Sequence, residues 1–450
     1  MIVVPAVPLP PAEAARRAAR GVGAFWLASP GADHDIDVVA DFVGCDPLRV
    51  VQSPVVDELE IAWGDERRRW AGGSGAAPLG WPIGVGWLSY DLARAWIKLP
   101  ARAADDHGWS ALGFHFYDAV WRADAITGRA TIAAVDAAAA RRLSARLADG
   151  PSPPPSAGSP GAVLWPRLQA DRPDQHYLGG VARILDYLQA GDAYQVNLAR
   201  RLSAPLPIAD TLAAAARLRG QAPAPHGLWL ATADGRGAIV GNSPERFLRA
   251  DGRGLVETRP IKGTRRRGAD PRGDEEPRRQ LVASEKDRAE HVMIVDLERN
   301  DLGRVCRAGS VVLGELLRVM TLPTVFHLVS TVRGQLRSDV GLAALLRATF
   351  PGGSVTGAPK QRAMEIIEEL EPFRRGPYTG ATGWLGAAGD LDLAVAIRTA
   401  LVRDGRLTLS VGGGIVADSL PTAELAETTA KAAAFAALGD DDGERQGGDG

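Results

Sequence analysis

Lysine is scarce in this chain. Of 52 Lys and Arg positions among 450 residues, five are lysine: Lys98, Lys262, Lys286, Lys360 and Lys431. Arg cannot release its proton at workable pH, so a neutral amine has only these five side chains as a source. Cysteine is scarcer, with only Cys45 and Cys306. That excludes a disulfide framework and paired-cysteine zinc spacings, and either thiol can serve as a small buried apolar residue. No apolar run approaches the roughly 20 residues that cross a bilayer, so no membrane partner is expected. Residues 1–11 are apolar, but no basic residue precedes the run and prolines interrupt it, which makes a poor secretory signal. The chain is read as cytoplasmic. The formal net charge of -2 supplies no basic field for nucleic acid.

What is present is ordinary for a globular protein: 46% hydrophobic and 24% charged residues. The scarce amine stands out at Glu257-Thr-Arg-Pro-Ile-Lys262-Gly-Thr264. Two readings are open for Lys262, a solvated lysine in a Pro/Gly turn or an amine kept for chemistry.

In chain order, residues 1–148 form an N-terminal region with many strands, predicted at 24–29, 36–40, 85–90 and 114–117, between helices at 12–20 and 136–148. Residues 149–165, rich in Pro, Gly and Ser, read as a linker or surface loop. Residues 166–438 form the second region. Helices are predicted at 175–190, 211–219, 276–299, 341–348, 359–370 and 422–436. Strands are predicted at 194–202, 228–231, 238–241, near 311, and at 380–387, 392–400 and 406–411. The tail 439–450 reads as disordered. Adjacent strands that do not alternate with helices point to an α+β fold with antiparallel sheets.

Two predicted helices carry acidic pairs at i, i+3: Asp287 with Glu290, and Glu424 with Glu427, with Lys431 one turn further. Each pair is either a solvated face or half of an oxygen-donor site for a hard cation such as Mg²⁺. The second helix follows Gly412-Gly413-Gly414, which lets a ligand approach the backbone. Phe350-Pro-Gly-Gly-Ser-Val-Thr-Gly-Ala-Pro-Lys360 is a second Gly-rich loop entering a helix. Its spacing is wrong for a nucleotide phosphate loop, though a helix start still favours anions. Arg398 lies in an apolar stretch read as a strand, where a guanidinium needs an anion. His327 lies in another apolar stretch, the usual setting of a satisfied core histidine.

Taken together, these motifs resemble the chorismate-utilising enzymes, the large-subunit family of anthranilate, aminodeoxychorismate and isochorismate synthases. The resemblance runs through Gly191–Leu198, Ser243-Pro-Glu-Arg-Phe247, Pro260-Ile-Lys-Gly-Thr264, Glu290–Leu297 with Arg299-Asn-Asp301, and His327-Leu-Val-Ser330. It continues through Phe350–Lys360, Tyr378, Ala396-Ile-Arg-Thr399, Gly412–Ser419 and Glu424-x-x-Glu427-x-x-x-Lys431. It implies an α+β sandwich of large antiparallel sheets with helices outside.

Within the family, the motif around Lys262 resembles the aminodeoxychorismate-forming branch, whereas the anthranilate-forming branch has Ala at the lysine position. Isochorismate and salicylate synthases carry a water-activating lysine where this chain has Gln195. The implied reaction is amination of chorismate to 4-amino-4-deoxychorismate, on the way to para-aminobenzoate and folate, with anthranilate formation as the alternative. By resemblance, Lys262 is the nucleophile, Glu245 the general acid and His327 a ring neighbour. Tyr378, Arg398, Gly353, Ser354, Gly412, Gly413, Gly414, Lys431 and Thr264 would contact the substrate. Glu290 and Glu427 would hold Mg²⁺, with Asp287 and Glu424 as outer partners. Ser29 matches a serine of the family's tryptophan pocket. Neither cysteine lies in a nucleophile turn, so ammonia is expected from a separate glutamine amidotransferase. Two readings of other classes, a non-catalytic chorismate- or tryptophan-binding subunit and a nucleotide-phosphate-binding enzyme, fit the motif set less well.

Overall fold

The computed structural model describes residues 1–28, 40–72, 79–148, 165–207, 211–268 and 270–439. Among them, two large sheets carry the architecture. One has 12 strands. Its order is Ile2–Pro5, Ala130–Ala134, Ala119–Asp124, Ala40–Gly44, Phe25–Ala28, His226–Ala231, Gly237–Ser243, Thr399–Arg403, Arg406–Ile415, Gln195–Pro205 and Gly357–Ala358, with Gln169–Ala170 also beside Gln195–Pro205. The other has 10 strands. Its order is Ile261–Arg266, Val325–Gln335, Leu255–Arg259, Arg246–Asp251, Asp390–Val395, Ala381–Gly386, Pro82–Leu88, Leu112–Phe116 and Arg49–Ser53, with Val312–Thr321 beside Val325–Gln335.

Alternation of side chains explains the layering, because successive residues of a strand face opposite sides. Phe25, Leu228, Leu230 and Ile239 join one core cluster with Trp87, Phe116 and Leu393 of the second sheet. Their neighbours Trp26, Trp229 and Val240 join another cluster with Leu143 and Phe435 of the covering helices. The fold is thus the expected α+β sandwich with helices outside.

Both sheets mix strands from the two ends of the chain. Phe25–Ala28 pairs with His226–Ala231, and Pro82–Leu88 pairs with Ala381–Gly386. The boundary between residues 1–148 and 166–438 is therefore one of chain order and does not divide either sheet. The linker expected at 149–165 falls, except for Trp165, outside the described residues, as do the strand expected at 36–39, Ser29, and the tail from residue 440.

Three expectations need correction. The helix predicted over 276–299 is two, Glu275–Ala283 and Glu285–Gly303. Ser284 between them is extended, and its hydroxyl accepts the Asp287 N–H as an N-cap, an interaction serine makes in preference to continuing a helix. The strand predicted over 392–400 is also two, Asp390–Val395 and Thr399–Arg403, and they lie in different sheets. Arg398 therefore sits in the crossover, at φ 48°, and not in a strand. Finally, Gly412-Gly413-Gly414 does not follow a strand but lies inside one, Arg406–Ile415.

Candidate active site

The strand Ile261–Arg266 aligns Lys262 with Leu328 and Thr264 with His327. Gly263, at φ 75°, is the extra residue in that register. Such a bulge re-aims neighbouring side chains, and the left-handed backbone favours glycine. The Lys262 ammonium lies 3.9 Å from Glu290 Oε2. A Cβ on Gly414 would lie 3.0 Å from Lys262 Nζ, so the missing side chain makes room for the amine. Burial pushes the Lys262 pKa below the ordinary lysine range. Glu290 opposes the shift, Lys431 adds to it, and Glu245 and Glu427 oppose it. The solvated-turn reading of Lys262 is thereby excluded.

Two passages between the sheets supply the next groups. Pro244 and Glu245 join Gly237–Ser243 of the first sheet to Arg246–Asp251 of the second. The Arg398 crossover runs beside them. The Ser243 hydroxyl donates to Val395 O at 2.6 Å, and Val395 N–H donates to Glu245 O at 3.0 Å. Asn242 N–H donates to Arg398 O at 2.9 Å. Hydrogen bonding between the crossovers thus fixes an acid and a guanidinium at one end of the sandwich. Burial raises the Glu245 pKa to about 7, against the stabilising pull of Ser354, Lys262, the Ile261 N–H and Lys431. Burial also lowers the pKa of Arg398, with Glu245 opposing. Among the described residues Arg398 forms no ion pair, which leaves a cation free for an anionic ligand.

Two helices bring the carboxylates. Glu290 is on Glu285–Gly303, and its pKa is raised by burial and by the like charges of Asp287 and Glu424, with Lys262 and Lys286 opposing. That electrostatic link connects acids from two different helices. On Pro421–Ala436, Glu424 is buried and accepts the Ser419 hydroxyl at 2.6 Å, whereas Glu427 keeps 54% of its side chain exposed. Burial alone would raise the Glu427 pKa, but its ion pair with Lys431 at 2.6 Å outweighs this and holds it low. Among the described residues no three acidic, His or Cys side chains stand close enough to form a ready metal cage. Asp287 is itself paired with Arg265 at 2.9 Å.

The three glycines have separate roles. A Cβ on Gly413 would lie 3.1 Å from Glu424 Oε2, 3.7 Å from Glu427 Oε1 and 3.8 Å from Lys431 Nζ. A Cβ on Gly412 would meet Leu198 O at 2.3 Å, so that glycine answers to strand packing. Lys431 spans the two elements, donating to Gly412 O at 2.8 Å.

His327 is buried, with Nδ1 3.0 Å from the Thr264 hydroxyl and Nε2 unpartnered. Burial, then Arg398, lowers its pKa to about 3, with the hydrogen bond that the ring donates to the Gly263 backbone opposing. It is a neutral imidazole there. Leu297 packs where a side chain on Gly353 would sit, at 2.6 Å from its Cβ, and the buried Ser354 hydroxyl faces Glu245 without reaching full hydrogen-bond geometry. Tyr378 is buried beside the Arg398 crossover, since Thr379 N–H donates to Ala396 O at 2.9 Å. It also lines a separate cleft with Tyr177, Leu198, Glu371 and Arg375. Lys360 is engaged by Asp301 at 2.6 Å and Thr349 O at 2.9 Å, so its ammonium already has protein partners.

Sequence reasoning left Gln195 out of the site. Its side chain is fully buried with both polar atoms unpartnered, and Nε2 would lie 2.9 Å from a Cβ on Gly414. The signal was there: Gln195 and Asn197 place polar groups on one side of the start of the strand, where the alternating Val196 and Leu198 are apolar.

A family model described as chorismate binding enzyme matches residues 25–437. Anthranilate synthase component 1 of Streptomyces coelicolor is 42% identical over 78% of this chain and 71% of its own length. Aminodeoxychorismate synthase component 1 of Escherichia coli is 39% identical over 85% of this chain and 80% of its own. The crystal structure of anthranilate synthase component I from Streptococcus pneumoniae superposes with a TM-score of 0.76 at 27% identity, covering 89% of this chain and 93% of that one.

Proposed function

The chain belongs to the chorismate binding enzyme family, and on that premise we propose that it is an aminodeoxychorismate synthase large subunit. The observation that carries this reading is the pairing of Lys262 with Glu245. Burial drives the amine toward neutrality and the carboxyl toward protonation, the state each needs. Neutral Lys262 attacks the chorismate ring carbon next to the carboxylate-bearing one, forming a C–N bond as the C–O bond to the 4-hydroxyl breaks. Glu245 donates the proton that lets that hydroxyl leave as water. Ammonia then bonds at the 4-position, the lysine C–N bond breaks, and Glu245 accepts the proton that ammonia releases.

Arg398 holds the enol-pyruvyl carboxylate, with Tyr378 beside it. Neutral His327 offers Nε2 to the ring without adding charge. Hard carboxylate donors of Glu290 and Glu427, backed by Asp287 and Glu424, suit Mg²⁺. When bound, that ion supplies positive charge for a substrate carboxylate. The Glu290 pKa is raised first by burial and then by the like charges of Asp287 and Glu424, and a cation would offset both. Ammonia comes from a glutamine amidotransferase partner. Cys45 and Cys306 are both buried, and burial raises the Cys45 pKa to about 12, unsuited to a glutaminase nucleophile.

Formation of anthranilate is the second reading, favoured by relatives of that name at equal identity. Incubation with chorismate, ammonium and Mg²⁺ decides between them. Aminodeoxychorismate should accumulate, and added lyase should convert it to para-aminobenzoate. Direct appearance of fluorescent anthranilate would overturn the assignment. Lys262→Arg keeps the charge and removes the nucleophile, so turnover should be almost abolished. Near-normal turnover would remove the covalent step.

A further inference from the structure

The strand Gln195–Pro205 has a gap along one edge. Gly357–Ala358 pairs with it at Gln195 and Val196, and Gln169–Ala170 pairs with it at Leu202 and Ser203. Between them, among the described residues, no strand lies against that edge. Two side chains from the segment after the helix Lys360–Leu370 close the gap. Glu371 Oε1 accepts the Ala199 N–H at 2.8 Å, and Arg375 Nη2 donates to Asn197 O at 3.0 Å. The two side chains also pair with each other, Nε to Glu371 Oε2 at 2.9 Å and Nη2 to Oε1 at 2.6 Å. On the remaining nitrogen, Nη1 donates to Val355 O at 2.9 Å and to the Thr379 hydroxyl at 3.1 Å. Every N–H of the guanidinium therefore has an acceptor, and Arg375 and Glu371 are both buried. The central carbon of the guanidinium lies 4.7 Å from the centroid of the Tyr90 ring and 6.0 Å from that of Tyr378.

A buried ion pair is a weak device for stability alone, because desolvation offsets the attraction and apolar packing serves as well. What a fully bonded guanidinium fork supplies is fixed geometry. The segments it joins are those that carry groups for the substrate. Val355 directly follows Ser354, and Asn197 lies opposite Gly414 in the strand register. The Thr379 hydroxyl, which accepts from Arg375, donates to Tyr378 O at 2.6 Å. The Thr379 N–H donates to Ala396 O at 2.9 Å, at the start of the crossover that carries Arg398. Thr379 and Arg398 both have left-handed backbone, at φ 58° and 48°. Such backbone at a residue other than glycine persists where the surroundings hold it, and the Arg375 fork holds Thr379 directly.

We propose that Arg375, clamped by Glu371, is a positioning residue for chorismate binding. It sets the turn Gly353–Val355, Tyr378 and, through Thr379, Arg398 in one arrangement. The inference rests on the substrate roles given above to Tyr378 and Arg398. None of the Arg375 hydrogen bonds goes to Lys262 or Glu245, so its effect falls on the hold on chorismate and not on the covalent step or on ammonia.

The test is Arg375→Lys, which keeps a positive charge beside Glu371 but cannot serve acceptors on several sides at once. Chorismate affinity is read as KM for chorismate loss and as Kd by calorimetry with Mg²⁺. Both should weaken by roughly tenfold or more, while the KM for ammonium and the kcat at saturating chorismate stay close to the parent's. A role in stability alone would reduce the amount of competent enzyme and leave the chorismate KM and Kd where they are. That result in folded Arg375→Lys overturns the proposal. If the variant does not fold, Thr379→Val takes its place, since it keeps size and burial and removes one acceptor of the fork. Its chorismate Kd should weaken severalfold, and a parental Kd overturns the proposal equally. A parent that binds chorismate and releases anthranilate would sink the aminodeoxychorismate reading while leaving these affinities valid, whereas a parent that does not bind chorismate overturns both.

Discussion

Replacing Gly414 with alanine should damage catalysis without damaging the fold. The added methyl would sit 3.0 Å from Lys262 Nζ and 2.9 Å from Gln195 Nε2. Ordinary contact needs about 3.5 Å, so the amine has to retreat by about half an ångström. Misplacing a reacting group by about 1 Å costs about 10²-fold, which puts the expected loss in kcat at roughly tenfold. Both opposing atoms are ends of flexible side chains, so stability should fall by no more than about 1–2 kcal/mol.

Gly412→Ala is the matched control. Its methyl would meet Leu198 O at 2.3 Å and Ala199 Cα at 2.9 Å, backbone atoms that strand pairing holds in place. That variant should lose about 3 kcal/mol or fail to fold. The assay is ammonium-dependent chorismate turnover with a urea unfolding curve for each variant. A Gly414→Ala protein that turns over at the parental rate would refute the claim that the amine's position is used. One that unfolds as readily as Gly412→Ala would refute the division of roles.

Other outcomes follow from the same geometry. Turnover should be bell-shaped in pH, rising as Lys262 loses its proton and falling above about 7 as Glu245 loses its own; a monotonic profile would contradict the pairing. The Glu298 carboxyl is raised in the fold to about 8 from 4.5, so its contribution to stability is fully present below 4.5 and is lost as pH rises through 8. Between those limits Glu298→Gln should gain on the parent by up to about 5 kcal/mol, and a pH-independent difference in urea midpoint would exclude a neutral buried acid. Thr264→Val strands His327 Nδ1 in a dry site and should cost about 1–3 kcal/mol, read by thermal unfolding; no change would mean the bond is not formed. The isolated chain should use ammonium and not glutamine, and robust glutamine-dependent turnover by pure protein would remove the amidotransferase partner.

Much of the fold was readable in order. Strand alternation at 228–231, 238–241 and 406–411, and helical spacing at 175–190 and 359–370, match elements now seen within a few residues. The errors share a cause. A run such as 392–400 is apolar throughout, and periodicity does not record that the chain changes sheets at Ala396–Arg398. The helix predicted over 276–299 broke at Ser284, where a side-chain cap competed with an otherwise continuous helical pattern. Gln195 was missed as a functional candidate because a polar residue at the start of a strand looks the same, buried or exposed, until its surroundings are known.

The sequence by itself determined the inventory: one lysine in a Gly-bordered motif, acidic pairs at helical spacing, a glycine triplet, and motifs in the order of a known family. Those are local or ordered properties, and residue identity and spacing suffice to express them. Tertiary structure alone decided which groups meet and in what charge state. Lys262, Glu245 and Glu290 come from separate elements, and two hydrogen-bonded crossovers and a strand bulge bring them to one end of the sandwich. Their titration is set by how much water the two sheets exclude and by which charges lie opposite, and neither quantity exists before the chain has folded.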